Sequence, residues 1–174
     1  MDVDLAVASK RDSREYSGAP VSDETARRIL DAGRLAGSAR NRQPCRFVVP
    51  EGEAVPAVAD SVYRGANVLD AGLIVVIVVS PGGGLVDFDA GRTAQNMMLA
   101  GWAEGVASCP NGIADPEGLA RALGIEPPER AVIVLTFGPP ARLRDPSRRT
   151  ADRWSVRARR LPLEALVRHV GGSE

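Results

Sequence analysis

A group of basic residues near the N-terminus could hold a phosphate or a carboxylate. Lys10, Arg11 and Arg14 lie within five residues of one another. An arginine side chain binds such anions through its planar fork of N–H donors, often with two parallel hydrogen bonds. The alternative is a solvated turn, because Asp12 and Glu15 in the same stretch partly neutralise its charge.

A second basic group lies near the C-terminus. Residues 142–160 contain eight arginines against Asp145 and Asp152. Three interpretations stay open: a phosphate clamp, a nucleic-acid patch or a solvated linker. A nucleic-acid patch usually includes aromatic stacking partners, and this stretch offers Trp154 alone. The candidates for a phosphate clamp are those that precede the last predicted helix: Arg157, Arg159 and Arg160.

The segment 37–44 has residue types that suit a flat heterocyclic ligand. Gly37, Ser38 and Ala39 are small, so the backbone could approach a ring closely. Asn41 and Gln43 each carry an amide, which offers both a donor and an acceptor to a ring edge. An ordinary loop between a helix and a strand would use similar residues.

Residues 105–112 form a third candidate ligand-facing segment, with backbone N–H groups rather than side chains as donors. It contains Pro110, Asn111 and Gly112. Cys109 is more typical of a small buried apolar residue than of a nucleophile, since no histidine is close in sequence to activate it.

Composition excludes several kinds of chemistry. The chain has 174 residues and a mass of 18.4 kDa, which predicts one domain. It has a net charge of zero, two cysteines and one histidine, His169. Histidine metal sites and histidine-relayed nucleophiles are therefore not expected, and no metal is predicted. Nucleic acid is disfavoured as a partner. An enzyme of this composition would depend on an organic cofactor.

Apolar patterning and turn residues predict the main elements. Leu73–Val79 is rich in β-branched residues and predicts a strand buried on both faces. It is too short to span a membrane, and the N-terminus lacks a signal-peptide core, so we expect a cytoplasmic protein. Further strands are predicted at 47–49 and 131–137. Helices are predicted at 4–9, from Ser22 to about 35–38, at 55–63, at 89–104, from Asp115 to Gly124 and at 161–170.

The helix predicted at 89–104 is unusually apolar. Met97, Met98 and Trp102 predict that it is central, either in the core or at a subunit interface. Because so many apolar residues would be costly to expose on a chain of this size, the helix favours a homodimer. The mixture of helices with few strands predicts an α+β fold, with a modest sheet covered by helices.

Five segments in this order resemble the FMN-dependent nitroreductase family. Residues 10–16 resemble that family's N-terminal Arg-Arg-Ser-x-Arg-x-Phe segment, and residues 38–49 resemble its Ser-Ser-x-Asn-x-Gln-Pro-Trp-x-Phe-x-Val signature. Residues 89–105 are similar to its central helix, residues 135–140 to its last strand, and residues 160–164 to its Arg-x-Pro-Leu-Glu ending. The resemblance covers most of the chain.

The resemblance implies a three-layer α+β fold with a small mixed or antiparallel sheet, in an intertwined homodimer. The whole chain, 1–174, would be one FMN-binding domain, with residues 141–174 as an extension that packs on the partner subunit. The implied reaction takes electrons from NADH or NADPH and passes them through flavin N5, by a ping-pong mechanism, to an electron-poor small molecule such as a nitroaromatic or a quinone.

The resemblance also implies which residues contact FMN. No side chain is catalytic, and the backbone at Asn111 and Gly112 would lie near flavin N5. The phosphate, the ribityl chain and the pyrimidine edge would be held by Lys10, Arg11, Asp12, Arg14, Arg157, Arg159 and Arg160. The ring would lie against Gly37, Ser38 and Ala39 of the partner subunit, with Asn41 close by. The further ring contacts are Gln43, Asn67, Pro110, Asn111 and Gly112.

Some positions depart from the family pattern. Asp12 and Ala39 replace serines, Cys45 stands where tryptophan is usual, and Ala158 stands where lysine is common. The segment between Val49 and Leu73 is also short. These departures leave open a flavin-binding member without turnover. The stretch from Arg142 to Arg160 leaves open an Arg-rich module that binds nucleic acid or protein.

Overall fold

The computed structural model describes residues 1–81 and 83–171. The chain divides into two compact units, one of residues 11–144 and one that joins residues 1–10 to the segment from Asp145 onward. The packing of residues 141–174 on a partner subunit stays a prediction. Among the described residues, no helix combines the length and the apolar character needed to cross a membrane.

The larger unit contains a four-stranded antiparallel sheet. Its strands are β1 (Cys45–Val48), β2 (Leu73–Val79), β3 (Ala107–Asn111) and β4 (Arg130–Gly138). Their spatial order is β1-β2-β4-β3, and every neighbouring pair is antiparallel. Two central strands therefore lie between two edge strands.

Helices cover both faces of this sheet. They are α2 (Asp23–Arg34), α3 (Ala54–Asp60), α4 (Ala66–Leu69), α5 (Val86–Ala103) and α6 (Pro116–Leu123). One core contains Val75, Ile77 and Val79 of β2 with buried residues of α2 and α5. A second core contains Ile74, Val76 and Val78 with buried residues of α3, α4 and α6. Alternate side chains of β2 thus enter opposite cores, which confirms the predicted strand and its burial on both faces.

Local sequence explains the ends of two helices. The Ser22 side chain accepts a hydrogen bond from the Thr25 N–H and caps α2, as predicted. The Asp115 side chain caps α6, Pro116 stands at its start, and Gly124 ends it in a left-handed conformation with φ of 63°. The start of α2 and both ends of α6 therefore lie where their capping residues predict them.

The packing of α2 against α5 depends on one glycine. A Cβ atom at Gly33 would overlap the Met97 side chain, so only glycine allows this approach. Met97 is completely buried, and Met98 and Trp102 are 7% and 4% exposed. These side chains fill the chain's own interior, which confirms the core alternative for this helix. They therefore no longer support the predicted homodimer, which stays a prediction.

The structure corrects other predicted elements. Residues 107–111 form edge strand β3, for which no strand was predicted, and Pro110 is tolerated because an edge strand need not donate every N–H. The short helix α4 was not predicted.

The smaller unit contains α1 (Val3–Ser9) and α7 (Ala151–Arg157), which pack against each other. The helix α7 was not predicted: it lies in the arginine-rich stretch for which a solvated linker was one of the open interpretations. The Thr150 side chain caps its start. The helix predicted at 161–170 is wrong, because only a 3-10 turn, Leu163–Ala165, forms there.

We predict that the core of the larger unit is sensitive to Phe137, which is completely buried. Replacing Phe137 by Ala should lower the free energy of unfolding by about 3–5 kcal/mol, because the change leaves a cavity in a packed interior. Leu143→Ala is the control: that side chain is 94% exposed, and its loss should change stability by less than about 0.5 kcal/mol. Denaturant unfolding at one fixed protein concentration measures both. Equal losses would contradict this core assignment.

Candidate functional site

The connection between α2 and β1 has an unusual backbone. Arg40, Asn41 and Gln43 have φ values of 53°, 55° and 49°, in the left-handed region that non-glycine residues seldom adopt. Each such residue costs of the order of 1–3 kcal/mol unless its surroundings hold it. This segment, residues 38–43, is called the small-residue loop below, and it includes four of the nine predicted ring contacts: Ser38, Ala39, Asn41 and Gln43.

Hydrogen bonds within the small-residue loop hold part of this shape. The Gln43 N–H donates to the Ser38 hydroxyl oxygen at 2.8 Å, and the Asn41 N–H donates to the Ser38 carbonyl at 3.0 Å. The Gln43 side-chain amide donates to the Asn41 carbonyl at 3.4 Å. Ser38 is therefore used to fold the loop on itself, while Asn41 and Gln43 are exposed.

The helix α5 contacts the small-residue loop and its flanks from one face. The Asp89 carboxylate accepts a hydrogen bond from the Ala39 N–H at 3.1 Å. One turn later, the Thr93 hydroxyl donates to the Cys45 sulfur at 3.7 Å. Residues four apart on a helix lie on the same face, so Asp89 contacts the loop itself and Thr93 contacts the start of β1.

Arg92 lies on the same face of α5 and packs against Gly37. A Cβ atom added at Gly37 would lie 2.8 Å from a guanidinium nitrogen of Arg92. The same guanidinium is 3.8 Å from the Asp89 carboxylate and 5.8 Å from the centre of the Phe88 ring. Gly37 therefore allows an arginine to cover the start of the loop.

Two hollows border the small-residue loop. One of about 130 Å³ is lined by residues that include Ser38, Gln43 and Cys45. The other, of about 180 Å³, is lined by residues that include Ala39, Arg40 and Leu85. Burial raises the pKa of the Cys45 thiol, which favours the protonated form over a nucleophilic thiolate.

The predicted N-terminal cations of the larger unit lie beside edge strand β3. Asp12 forms a parallel bridge with Ser108, and the Ser13 N–H donates to the Ser108 carbonyl at 3.0 Å. The Ala141 N–H donates to the Glu15 carbonyl at 3.1 Å. These contacts place the N-terminal segment between β3 and the chain that leaves β4. Arg11 of this segment is half-buried.

This arrangement creates an open hollow of about 460 Å³, called the arginine hollow below. Arg14, Arg142 and Arg144 line it, together with Asp12 and Glu15. The sequence analysis assigned no ligand contact to Arg142 or Arg144. The position of Arg142 and Arg144 shortly after β4 was the one feature of the sequence that could have indicated them. They come close to Arg14 because the N-terminal segment pairs with edge strand β3.

A buried polar network surrounds Thr136 in the middle of β4. The Asn67 amide donates to the Thr136 hydroxyl oxygen at 2.8 Å, and the Asn111 amide donates to it at 3.2 Å. The Thr136 hydroxyl donates to the Cys109 carbonyl at 3.2 Å. Tyr16 contacts the same hydroxyl at 2.9 Å. Four segments distant in sequence therefore meet at one hydroxyl group.

This network determines how the Asn67 and Asn111 side chains are oriented. Asn111 also donates to the Cys109 and Val134 carbonyls, so its amide is turned into the core. Asn67 uses its amide nitrogen, and its buried carbonyl oxygen has no hydrogen-bond partner among residues 1–81 and 83–171. The sequence analysis places the backbone of Asn111, not its side chain, near the flavin. The inward orientation of the side chain therefore does not affect that prediction.

The last predicted ring contacts lie at the end of β3. Pro110 is half-buried, and Gly112 is exposed beside the ring of Tyr63. The Tyr63 N–H donates to the Gly112 carbonyl at 3.1 Å. Cys109 is completely buried, as its interpretation as a small apolar residue predicts.

The smaller unit contains the other predicted cations. Lys10 follows α1 and is half-buried, and Arg157 ends α7. Arg159 has a left-handed φ of 51°, and both Arg159 and Arg160 are exposed. Over residues 1–81 and 83–171, no three His, Cys, Asp or Glu side chains are grouped so that they could hold a metal ion.

A comparison with protein families matches the Nitroreductase family over residues 7–81 and 83–139. The chain therefore belongs to this family, as the five segments predicted.

Two relatives carry the name "Putative NADH dehydrogenase/NAD(P)H nitroreductase". The protein from Archaeoglobus fulgidus is 30% identical over 146 residues, which cover 77% of this chain and 83% of the relative. The protein from Methanothermobacter thermautotrophicus is 28% identical over 171 residues, with 88% of each chain covered.

Solved structures confirm the α+β fold. A nitroreductase family protein from Clostridium difficile 630 superposes with a TM-score of 0.81 at 22% identity, covering 97% of this chain and 98% of that one. A structure described as a putative nitroreductase in complex with FMN, from Desulfovibrio desulfuricans, gives a TM-score of 0.80 at 26% identity. It covers 99% of both chains. The sequence analysis expected a mixed or an antiparallel sheet, and the observed sheet is antiparallel.

The Thr136 network predicts an unusual titration of Tyr16. Burial raises the pKa of Tyr16 to about 12, although the hydrogen bond with Thr136 opposes part of this shift. The chain has two tyrosines, so in a Tyr63→Phe variant ultraviolet absorbance reports Tyr16 alone. We expect phenolate to form with a midpoint near 12.

The same shift predicts how stability changes with pH. The unfolded chain releases the tyrosine proton near pH 10, whereas the folded chain keeps it until about pH 12. The contribution of neutral, buried Tyr16 to the free energy of unfolding should therefore be fully present below pH 10 and fall as the pH rises towards 12. Tyr16→Phe should remove this fall, as measured by denaturant unfolding across that range. A phenolate midpoint close to 10 would contradict the buried network.

Proposed function

We propose that this protein is an FMN-dependent oxidoreductase that uses NADH or NADPH to reduce an electron-poor small molecule, such as a nitroaromatic or a quinone. The observation that carries the proposal is the match, over 99% of both chains, to a family member solved in complex with FMN. The names of the two relatives support a nicotinamide electron donor. A cytoplasmic location stays an expectation of the sequence.

The residues present fit a phosphorylated, flat ligand. The arginine hollow presents Arg14, Arg142 and Arg144 on one open surface. A dianionic phosphate needs such a set of donors, since charge-assisted hydrogen bonds contribute about 1.5–3 kcal/mol each. We assign Arg11, Asp12 and Arg14 to the phosphate, ribityl and pyrimidine side. Lys10, Arg157, Arg159 and Arg160 are assigned to the same ligand on the family resemblance.

The small-residue loop is the second part of the proposed site. Gly37, Ser38 and Ala39 would lie against the flavin ring, with Asn41 and Gln43 at its edge. The backbone at Asn111 and Gly112 would lie near the reactive ring nitrogen, and Pro110 would pack over the ring. Asn67 is retained as a flavin contact through its side-chain carbonyl oxygen, because that buried acceptor has no hydrogen-bond partner in the described part of the chain.

When bound, FMN would supply the hydride and electron chemistry itself. The task of the protein is to bind and orient, because transfer to a flavin needs reacting atoms held in line rather than a strong side-chain base. That division agrees with the composition: the single histidine lies in the exposed C-terminal segment, and both cysteines are wholly or partly buried.

We predict that Arg14 contributes directly to FMN affinity. In flavin-free protein, Arg14→Ala should weaken FMN binding about 10- to 100-fold, the equivalent of one charge-assisted hydrogen bond. Arg27→Ala is the matched control, because Arg27 is also an exposed arginine but lies on α2. Quenching of FMN fluorescence measures both constants.

The intact protein also decides between the alternatives. The proposal expects a yellow protein whose bound flavin bleaches on anaerobic addition of NADH or NADPH and regains its colour with a quinone. Bound flavin that does not bleach would favour the flavin binder without turnover. A colourless protein that takes up no added FMN would contradict the proposal.

We also propose a homodimer, now on residues other than those of α5. The C-terminal segment exposes Leu161, Leu163, Leu166, Val167 and Val170, at 66%, 69%, 64%, 47% and 86%. Several large exposed apolar residues grouped in one short segment favour an interaction surface. A second copy of this chain is the occupant that the family resemblance predicts.

Sedimentation velocity tests this prediction. At micromolar concentration the full chain should sediment as a dimer of the 18.4 kDa protomer. Combined replacement of Leu161, Leu163 and Leu166 by Ser should shift it towards the monomer, because these side chains would then lose their apolar contact. Replacement of the exposed Leu143 by Ser is the control and should leave the dimer intact. A monomeric wild-type chain would contradict the homodimer.

A further inference from the structure

We propose that Asp89 is the positioning residue for the proposed flavin site, because its carboxylate holds the small-residue loop in a ligand-ready shape. The inference rests on the proposed function and extends it to a residue to which the sequence analysis assigned no contact with the ligand. The backbone conformation of the loop has a free-energy cost. Three left-handed non-glycine residues within residues 40–43 will relax unless contacts from elsewhere hold them.

Asp89 supplies such a contact at the start of the strained stretch. It is 5% exposed as a residue, and its carboxylate accepts the Ala39 N–H at 3.1 Å. The next residue along the chain, Arg40, is the first with a left-handed φ. The hydrogen bond therefore fixes the backbone immediately before the unusual conformation begins.

The surroundings of Asp89 argue that this contact is the reason for its burial. A buried carboxylate is costly unless hydrogen bonds and opposite charge compensate it. The nearest guanidinium nitrogen, on Arg92, is 3.8 Å away, which is too long for a hydrogen bond. The short contact of the carboxylate is the one to the loop, so the loop and the carboxylate stabilise each other.

A simpler role would be stabilisation of α5 itself, because acidic residues in the first turn of a helix interact favourably with its dipole. Asp87 is also in that turn, but its carboxylate is exposed and pairs with Arg130 at 2.6 Å. Asp89 instead directs an oxygen at the N–H of another segment. The two aspartates thus separate the helix effect from the loop contact.

Three variants test the proposal. Asp89→Ala removes the acceptor, whereas Asp89→Asn keeps an acceptor oxygen and removes the charge. Asp87→Ala is the control for a charge lost from the same helix turn. In each flavin-free protein, hydrogen–deuterium exchange is followed in peptides that cover residues 37–44, and FMN affinity is then measured by fluorescence quenching.

We expect Asp89→Ala to speed exchange of the loop amides at least tenfold and to weaken FMN binding at least tenfold. Asp89→Asn should stay within about threefold of wild type in both, since an amide oxygen can also accept the Ala39 N–H. Asp87→Ala should leave both unchanged. Rescue by asparagine separates a hydrogen-bonding role from a requirement for charge.

A second change reaches the same hydrogen bond from the loop and does not disturb α5. Ala39→Pro removes the N–H donor, and Ser38 has the extended backbone, with ψ of 155°, that a residue before proline prefers. It should reproduce the effects of Asp89→Ala. This variant keeps the proposal testable if Asp89→Ala does not fold.

Two results would overturn the proposal: wild-type loop exchange in both Asp89→Ala and Ala39→Pro, or an Asp89→Asn protein as impaired as Asp89→Ala. Failure of the proposed function looks different. The wild-type protein would then take up no FMN, while exchange in the flavin-free proteins would still show whether Asp89 holds the loop.

Discussion

The conformation of the small-residue loop depends on how α5 packs against α2 and the sheet. Met97 fills the space that Gly33 leaves open, so α2 and α5 approach closely and have one relative position. The loop begins where α2 ends, and Asp89 and Thr93 of α5 contact it and the strand that follows. Because one helix contributes to both the core and the loop, core packing sets the shape of a surface segment.

The strand β4 connects the other parts of the larger unit in a comparable way. Its residues Leu135 and Phe137 enter one core, while Thr136 between them gathers Tyr16, Asn67 and Asn111 on the opposite face. A hydroxyl group that donates once and accepts from several neighbours specifies a single arrangement more strictly than apolar contacts do. The N-terminal segment that carries Arg14 is therefore anchored two residues away, at Tyr16.

Patterns that depend on near neighbours could be predicted from the sequence. The uninterrupted β-branched run predicted β2, and Asp115 with Pro116 and Gly124 predicted α6, because strand burial and helix caps are local chemistry. The order of the five segments predicted the family. The edge strand β3 was missed because Pro110 disfavours a strand in general but is tolerated at an edge.

Features that arise from tertiary contacts could not be predicted. Apolar residues such as Met97 and Trp102 look the same in sequence whether they fill a protomer or an interface, and here they fill the protomer. None of the left-handed residues of the small-residue loop is a glycine, the residue type that would have indicated a left-handed backbone in the sequence. Arg142 joined the candidate site only through the pairing of chain segments far apart in sequence.

The central proposal, which rests on the family resemblance, is that basic residues from both ends of the chain bind one phosphorylated flavin whose ring lies against the small-residue loop of the partner subunit. A crystal structure of the protein with FMN tests it most directly. The account predicts one flavin per chain, its phosphate contacted by Arg11 and Arg160 and its ring packed on residues 37–39 of the other subunit. A structure with Arg11 and Arg160 far apart in the assembled oligomer, and no cleft between protomers, would contradict it.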